Sequence, residues 1–397
     1  MKRILVIGGG QWQIPIIKKI KELGHTVICT NLYENSPAFK FSDHSYIIDI
    51  LNKNKNLEIA KKHKVHAVIS DQTDIAVKTV AYINKKLSLN GNKEDIAELF
   101  TNKLRMRNEI NIPNIHHPKF KLCKNVQDVI NFFEKIQVPI ILKPLDNQSS
   151  RGLEFVDSLL NIKDKVKTTL MYCHNKQFLA EEFIGGIELT VEGYKSRLAK
   201  HESYAVSKKT HFKNTIGVAS SLQYQQKFDE FNINILKEIN NQIFKNINFG
   251  ITHTEYKLYK GKFYLVEAAI RGGGTKVSSL ITPLMSGYDT NSFLIKEALG
   301  ENILLEKTVK TENTISLNFF NFKEGVVKEI TGIDILKNNE NILDYSLEFE
   351  IGSYIKSPTD DRSRSGYYII KANDIEELKK ISKEIQKNIL ISYKGLL

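Results

Sequence analysis

Cysteine is scarce in this chain. Its 397 residues include three, Cys29, Cys123 and Cys173, far apart and odd in number. They form neither a metal-ligand spacing nor a disulfide framework, which points to a reducing, cytoplasmic setting. Long apolar runs are absent too: none approaches the ~18 residues of a membrane span, so no membrane partner is expected. The opening MKRILVIGGG is too short and too glycine-rich for a signal peptide, and strand residues begin at once. There is no internal repeat and no low-complexity linker, so the domains are expected to pack together. An organised basic stripe is also missing. Lys and Arg number 57 against 45 Asp and Glu, a formal charge of +12, which by itself suits nucleic acid or an anionic substrate. Yet the lysines fall in scattered pairs (Lys18-Lys19, Lys61-Lys62, Lys85-Lys86, Lys208-Lys209) among acids and asparagines, without interleaved aromatics. They read mostly as solvated faces, and no nucleic-acid partner is expected.

What is present is enough apolar sequence, 41% of the residues, for two to four domains of ~100–200 residues each. Ile4–Ile7 is a strand ending in Gly8-Gly9-Gly10. A helical pattern follows on Ile16, Ile17, Ile20 and Leu23, stopped by Gly24. Strands at Val27–Cys29, Tyr46–Ile48 and Ala67–Ile69 then alternate with helices near 55–63 and around Ile75–Ile83, implying a doubly wound parallel α/β domain. The GGGQWQ loop lacks the full dinucleotide glycine order, and no acid closes the second strand, where Asn31 comes nearest. Its glycines suit close backbone approach at a domain interface, with Gln11 near a substrate. His116-His117 lacks a third ligand at metal spacing and reads as loop.

The strand Val138–Lys143 ends in a lysine, is followed by the polar loop 146–152 and returns as Leu153–Val156. This is the outline of a flap over phosphate, or of a plain hairpin with a long loop. Phe178–Ile184 is a strand running into Gly185-Gly186, after which Glu188 opens another. The stretch Gly250 to Gly274 holds two β-rich runs about a turn at Lys260-Gly261. Antiparallel strands joined there would set Glu255 roughly opposite Glu267. Two carboxylates on adjacent strands suit a hard cation that takes its other oxygens from phosphate and water. Arg271 follows, leading into Gly272-Gly273-Gly274. An ordinary surface hairpin with solvated acids is the plainer reading of the same residues.

Five segments, in order, resemble the ATP-grasp superfamily, in its biotin carboxylase, carbamoyl-phosphate synthase and carboxylate–amine ligase branch. They are TNKLRMRNEINIPNI, ILKPLDNQSSRG, AEEFIGGIELTVEGY, THTEYKL and VEAAIRGGG. The opening ILVIGGGQWQ is similar to the domain that precedes ATP-grasp, and FFNFKEGVVKEITGID to the small β-domain that follows it. The resemblance implies an N-terminal α/β domain (1–95), the linker and lid subdomain (96–186), the large subdomain with the metal site (187–312) and a small C-terminal α+β domain (313–397). It implies ATP held by Lys103, Lys143, Ser149, Ser150 and Gly152, by the hinge residues Glu181, Glu182, Phe183 and Ile184, and by Glu188 at the ribose. Mg²⁺ or Mn²⁺ would be held by Glu255 and Glu267, with Arg271 catalytic. Two departures stand out: Ala269 where the branch often has a metal-binding asparagine, and Asn147, Gln148, Ser149 and Ser150 where many relatives have glycines. The implied activity joins a small-molecule carboxylate to an amine through an acyl phosphate, releasing ADP. A bicarbonate-using carboxylase and a non-catalytic ATP-binding regulator are the alternatives. A homodimer is open, and the substrates are not legible.

Overall fold

Along the strand Arg3–Ile7, alternate side chains enter different cores. Ile4 and Val6 pack with Ile16, Ile17 and Ile20 of the helix Ile14–Glu22, whereas Leu5 and Ile7 pack with Ala76 and Ile83 of the helix Asp74–Lys86. A strand covered on both faces belongs in a parallel sheet wrapped by helices. In the computed structural model of the chain, Arg3–Ile7 lies between Thr26–Asn31 and Ala67–Ile69, with His44–Ile47 outermost and every pairing parallel. The structure describes all residues except 146–149, 214, 304–306, 308–309 and 395–397. Among the described residues no helix is long and apolar enough to cross a membrane.

The second sheet has four antiparallel strands in the order Phe120–Cys123, Phe178–Glu182, Ile140–Pro144, Glu154–Val156. Its apolar face is covered by the helices Val126–Ile136 and Ile162–Met171, through Val129, Phe132, Ile162 and Val166. Asn125 caps the first of these, accepting a hydrogen bond from Asp128 N–H.

The largest sheet has nine strands and carries the site. Its middle strand is His201–His211, next to which lie Ile187–Lys195 and then Gly250–Tyr259, and Ile115–His116 forms the edge on that side. Lys262–Ala269 pairs with Gly250–Tyr259 on one side, while Ala219–Tyr224 and then Thr314–Phe319 extend the sheet on the other. Gly366–Ala372 and Ile342–Leu347 complete that end. The sheet therefore runs unbroken from the Glu255–Glu267 hairpin into the C-terminal residues. The helix Ile375–Asn388, capped by Asp374, buries Leu378, Ile381 and Ile385 against Tyr368 and Ile370.

Candidate active site

The chain reverses between Tyr259 and Lys262 through Lys260 at φ 49° and Gly261 at φ 72°. Two left-handed residues make the tight turn that matches strand twist, and glycine takes one of them without a Cβ penalty. The register that follows sets Glu255 opposite Glu267, with a bulge immediately beyond Glu255. Both carboxylates line a cavity of about 960 Å³ between the four-stranded and nine-stranded sheets. Ala269 is buried and stands across from His253.

Each carboxylate is already held by an ammonium. Lys209 Nζ lies 2.9 Å from Glu255 Oε1 and 2.8 Å from Glu188 Oε1. Lys103 Nζ lies 3.3 Å from Glu267 Oε1. Burial by itself would raise the pKa of Glu255 and Glu188, but Lys209 together with His253 at Glu255, and with His211 and Lys257 at Glu188, outweighs it and holds both well below the ordinary carboxylate range. Glu188 also takes Lys257 at 2.7 Å and faces His211 at 3.4 Å, so a ribose would have to share a carboxylate that is well occupied in the free protein. Behind Glu255 stands His253. Its Nδ1 meets Glu192 Oε1 at 2.6 Å and its Nε2 lies 3.6 Å from Glu255 Oε1. Burial opposes charge on this imidazole, yet Glu192 and Glu255 lift it to about 9, so it carries a proton at neutral pH.

On the lid side, Lys143 ends the Ile140–Pro144 strand and lies 2.8 Å from Glu181 Oε2, while Arg107 Nε donates to Glu181 Oε1 at 2.8 Å. Glu181 is fully buried. Its burial would raise its pKa, but the two cations together hold it at about 2. Glu182, Phe183 and Ile184, expected from the sequence to form a hinge at adenine, line the same cavity. The N–H of Glu182 donates to Lys119 and that of Phe183 to Pro139, both at 2.8 Å. A backbone hydrogen bond between these two residues and a ligand would therefore have to be accepted by their carbonyls. Of the residues expected to cradle phosphate, Ser149 lies outside the described residues, as do residues 146–148. Ser150 Oγ donates to Gly217 O at 3.1 Å. Gly152 has φ 72°, and a Cβ there would meet Tyr172 at 2.8 Å.

Arg271 reaches the cavity wall from the end of the Lys262–Ala269 strand, its guanidinium paired with Asp74 at 2.9 Å. The same cavity is also lined by Leu222, Val277, Leu317 and Phe319, which belong to one apolar cluster, and by Trp12, which packs against it. The Arg364 guanidinium lies 3.5 Å over the Phe319 ring and 3.1 Å from Asp361.

Residues 136–279 match the family model described as "ATP-grasp domain". The chain carries an ATP-grasp domain. Residues 318–394 match the model described as "L-amino acid ligase C-terminal domain 2". Among curated proteins the chain is similar to the formate-dependent phosphoribosylglycinamide formyltransferase of Prochlorococcus marinus strain MIT 9515, 26% identical over 177 residues, covering 42% of this chain and 44% of the relative. The same-named protein of Saccharolobus solfataricus is 23% identical over 205 residues, covering 49% and 50%. The chain spans about half the length of the curated relatives it matches. Among solved structures, an L-amino acid ligase from Bacillus licheniformis superposes with a TM-score of 0.83 at 18% identity, covering 100% of this chain and 99% of the other. A phosphoribosylglycinamide synthetase from Anaerococcus prevotii gives 0.75 at 20% identity, covering 99% and 100%. These likenesses establish the fold over the full length.

Within the ATP-grasp domain the residue pattern fits a hard divalent ion. Glu255 and Glu267 offer carboxyl oxygens from paired positions on adjacent strands. Among the described residues no set of three or more His, Cys, Asp or Glu side chains is arranged to hold a metal alone, so a cation here would complete its shell with phosphate and water. The structure also adds residues that the sequence reading passed over: Lys209, His253, Glu192, Arg107, Asp71 and Asp74. Lys209 had been grouped with the solvated lysine pairs, whereas its side chain is 9% exposed and bridges two acids. Strand alternation was the available signal, since Lys209 with His211, His253 with Glu255, and Glu188 with Glu192 each share a strand face.

Proposed function

We propose that this protein is an ATP-dependent, ADP-forming carboxylate–amine ligase. The observation that carries the reading is one cavity lined by a carboxylate pair, two lysines at its phosphate end and an arginine before a glycine run. Lys143 and Lys103 would meet phosphate oxygens, exchanging their present partners Glu181 and Glu267 for the nucleotide. Glu255 and Glu267 would hold Mg²⁺, which when bound neutralises charge across the β- and γ-phosphates. The substrate carboxylate would attack the γ-phosphorus, breaking its bond to the β-bridging oxygen. Arg271 would orient that carboxylate and stabilise the charge that develops on the resulting acyl phosphate. An amine would then displace orthophosphate to form the amide.

For the substrates we favour amino acids. The apolar side chains of Trp12, Leu222, Val277, Leu317 and Phe319 in the cavity lining would suit a substrate larger and more apolar than formate or bicarbonate. The match of residues 318–394 to an L-amino acid ligase domain supports the same choice. The test is orthophosphate release from MgATP with all pairs of the twenty L-amino acids, with mass spectrometry of the products. Dipeptide masses are the expected result. Release driven by bicarbonate or formate alone, with no amide product, would move the assignment to a carboxylase or formyl-transfer chemistry. ATP binding with no release in any arm would favour a non-catalytic role.

A further inference from the structure

Arg271 is held by another domain. Its Nε and Nη2 donate to Asp74 Oδ1 and Oδ2, both at 2.9 Å, and Nη1 donates to Gly272 O at 3.0 Å. Asp74 is the first residue of the helix Asp74–Lys86 in the N-terminal α/β domain, 197 residues away in sequence. Three residues earlier, buried Asp71 accepts Gly272 N–H and Ser278 Oγ, each at 2.9 Å. A Cβ at Gly272 would collide with Ser278 and Asp71, so only glycine lets the backbone come this close. From the other side Gly273 N–H donates to Glu192 Oε2 at 3.3 Å. Asp71 is itself pinned through its carbonyl, which accepts Gln13 Nε2 at 2.7 Å. Burial raises the Asp71 carboxyl above its ordinary range despite these donors, so the docking contact is made by a costly buried group rather than by a solvated one.

We propose that Asp74 is a positioning residue for Arg271, so that the N-terminal domain sets how the arginine meets the reacting carboxylate. This rests on the role given to Arg271 above. A guanidinium has five N–H groups. Three are engaged here, which leaves one N–H on each terminal nitrogen for a ligand. Paired side-on to a carboxylate, the plane of the guanidinium is fixed, and both remaining donors have a defined direction. Without Asp74 the charge remains but its orientation is lost. Misplacement of about an ångström costs on the order of a hundredfold in rate. Binding of the nucleotide, which uses the lysines and the hinge, would not depend on it.

The experiment compares Asp74→Asn, Asp74→Glu, Arg271→Lys and the Asp74→Asn/Arg271→Lys double variant. Turnover is read as orthophosphate release from MgATP with the twenty-L-amino-acid mixture. Nucleotide affinity is read by calorimetry with a non-hydrolysable ATP analogue, and folding by thermal melting. The expected result is a kcat reduced on the order of a hundredfold in Asp74→Asn, with analogue affinity and melting near those of the unaltered protein. Asp74→Glu should recover part of the loss, and the double variant should be no slower than Arg271→Lys alone. Full turnover in Asp74→Asn while Arg271→Lys is inactive would overturn the positioning role and spare the ligase reading. Losses that multiply in the double variant, or a Asp74→Asn loss tracking lowered melting and analogue affinity, would overturn it as well. Full turnover in Arg271→Lys, or no phosphate release by the unaltered protein, would instead bring down the reading on which the proposal rests.

Discussion

Glu255 and Glu267 face each other across one turn of chain, yet neither carboxylate is neutralised by the other's strand: Lys209 holds the first at 2.9 Å and Lys103 the second at 3.3 Å. A divalent ion entering this site alone has to displace two ammonium groups. A nucleotide arriving with it gives those ammoniums phosphate oxygens in exchange. Mn²⁺, read by its paramagnetic resonance signal, should therefore bind weakly to the free protein and at least tenfold more tightly once an ATP analogue is present. Equal affinity in the two states would show that the lysines do not guard the pair.

Replacing Glu267 by Gln keeps size and removes the charge that would hold the ion. Turnover should collapse, while the ATP analogue should still bind through Lys143 and the hinge. Near-normal turnover at ordinary magnesium would mean that the hairpin carboxylates are not the metal site.

Lys143→Ala should have two effects that separate experimentally. Loss of a charge-assisted phosphate contact lowers ATP affinity by about 1.5–3 kcal/mol. Glu181, fully buried, keeps only Arg107 of its two cations, so stability without ligand should also fall, by about 1–3 kcal/mol. Calorimetry reads the first and urea unfolding the second. Unchanged ATP affinity would remove Lys143 from the nucleotide site whatever happens to stability.

Glu181 also predicts the acid limb of stability. Its value of about 2 lies below the ordinary 4.5, so its stabilising contribution is complete above about pH 4.5 and is lost as pH falls toward 2. The shift corresponds to about 3 kcal/mol. Urea midpoints followed from pH 6 downward should fall less steeply in Glu181→Gln than in the unaltered chain, although that variant starts from lower stability. Parallel curves would show that another group governs the acid limb.

The hairpin was legible because everything that defines it is local. Two β-rich runs, a turn that tolerates left-handed backbone and side-chain alternation together predict that Glu255 meets Glu267. The helices Val126–Ile136 and Asp74–Lys86 were legible for the same reason, since their apolar residues recur at short, local spacing. Lys209, Glu192, Asp71 and Asp74 were not. Alternation says which face of a strand a residue occupies, but it does not say which strand lies beside it, and the Arg271–Asp74 pair spans 197 residues. Glu181 shows the same limit in another form: its place in a hinge motif suggested backbone contacts, and nothing nearby in the chain announces that its side chain is buried between Arg107 and Lys143.

The unbroken pairing of Thr314–Phe319 with Ala219–Tyr224 has a consequence for dissecting the molecule. A chain cut at residue 312 would keep Lys103, Lys143, Glu255, Glu267 and Arg271 but would lose Leu317, Phe319, Asp361, Arg362 and Arg364 from the cavity wall. It would also strip one side from Ser221–Tyr224 and leave a raw sheet edge beside the now uncovered Leu222 and Tyr224. Such an edge is a template for pairing with another chain. The shortened protein should therefore self-associate into higher-mass species on size-exclusion chromatography, so activity lost on trimming would mix lost solubility with the lost part of the cavity wall.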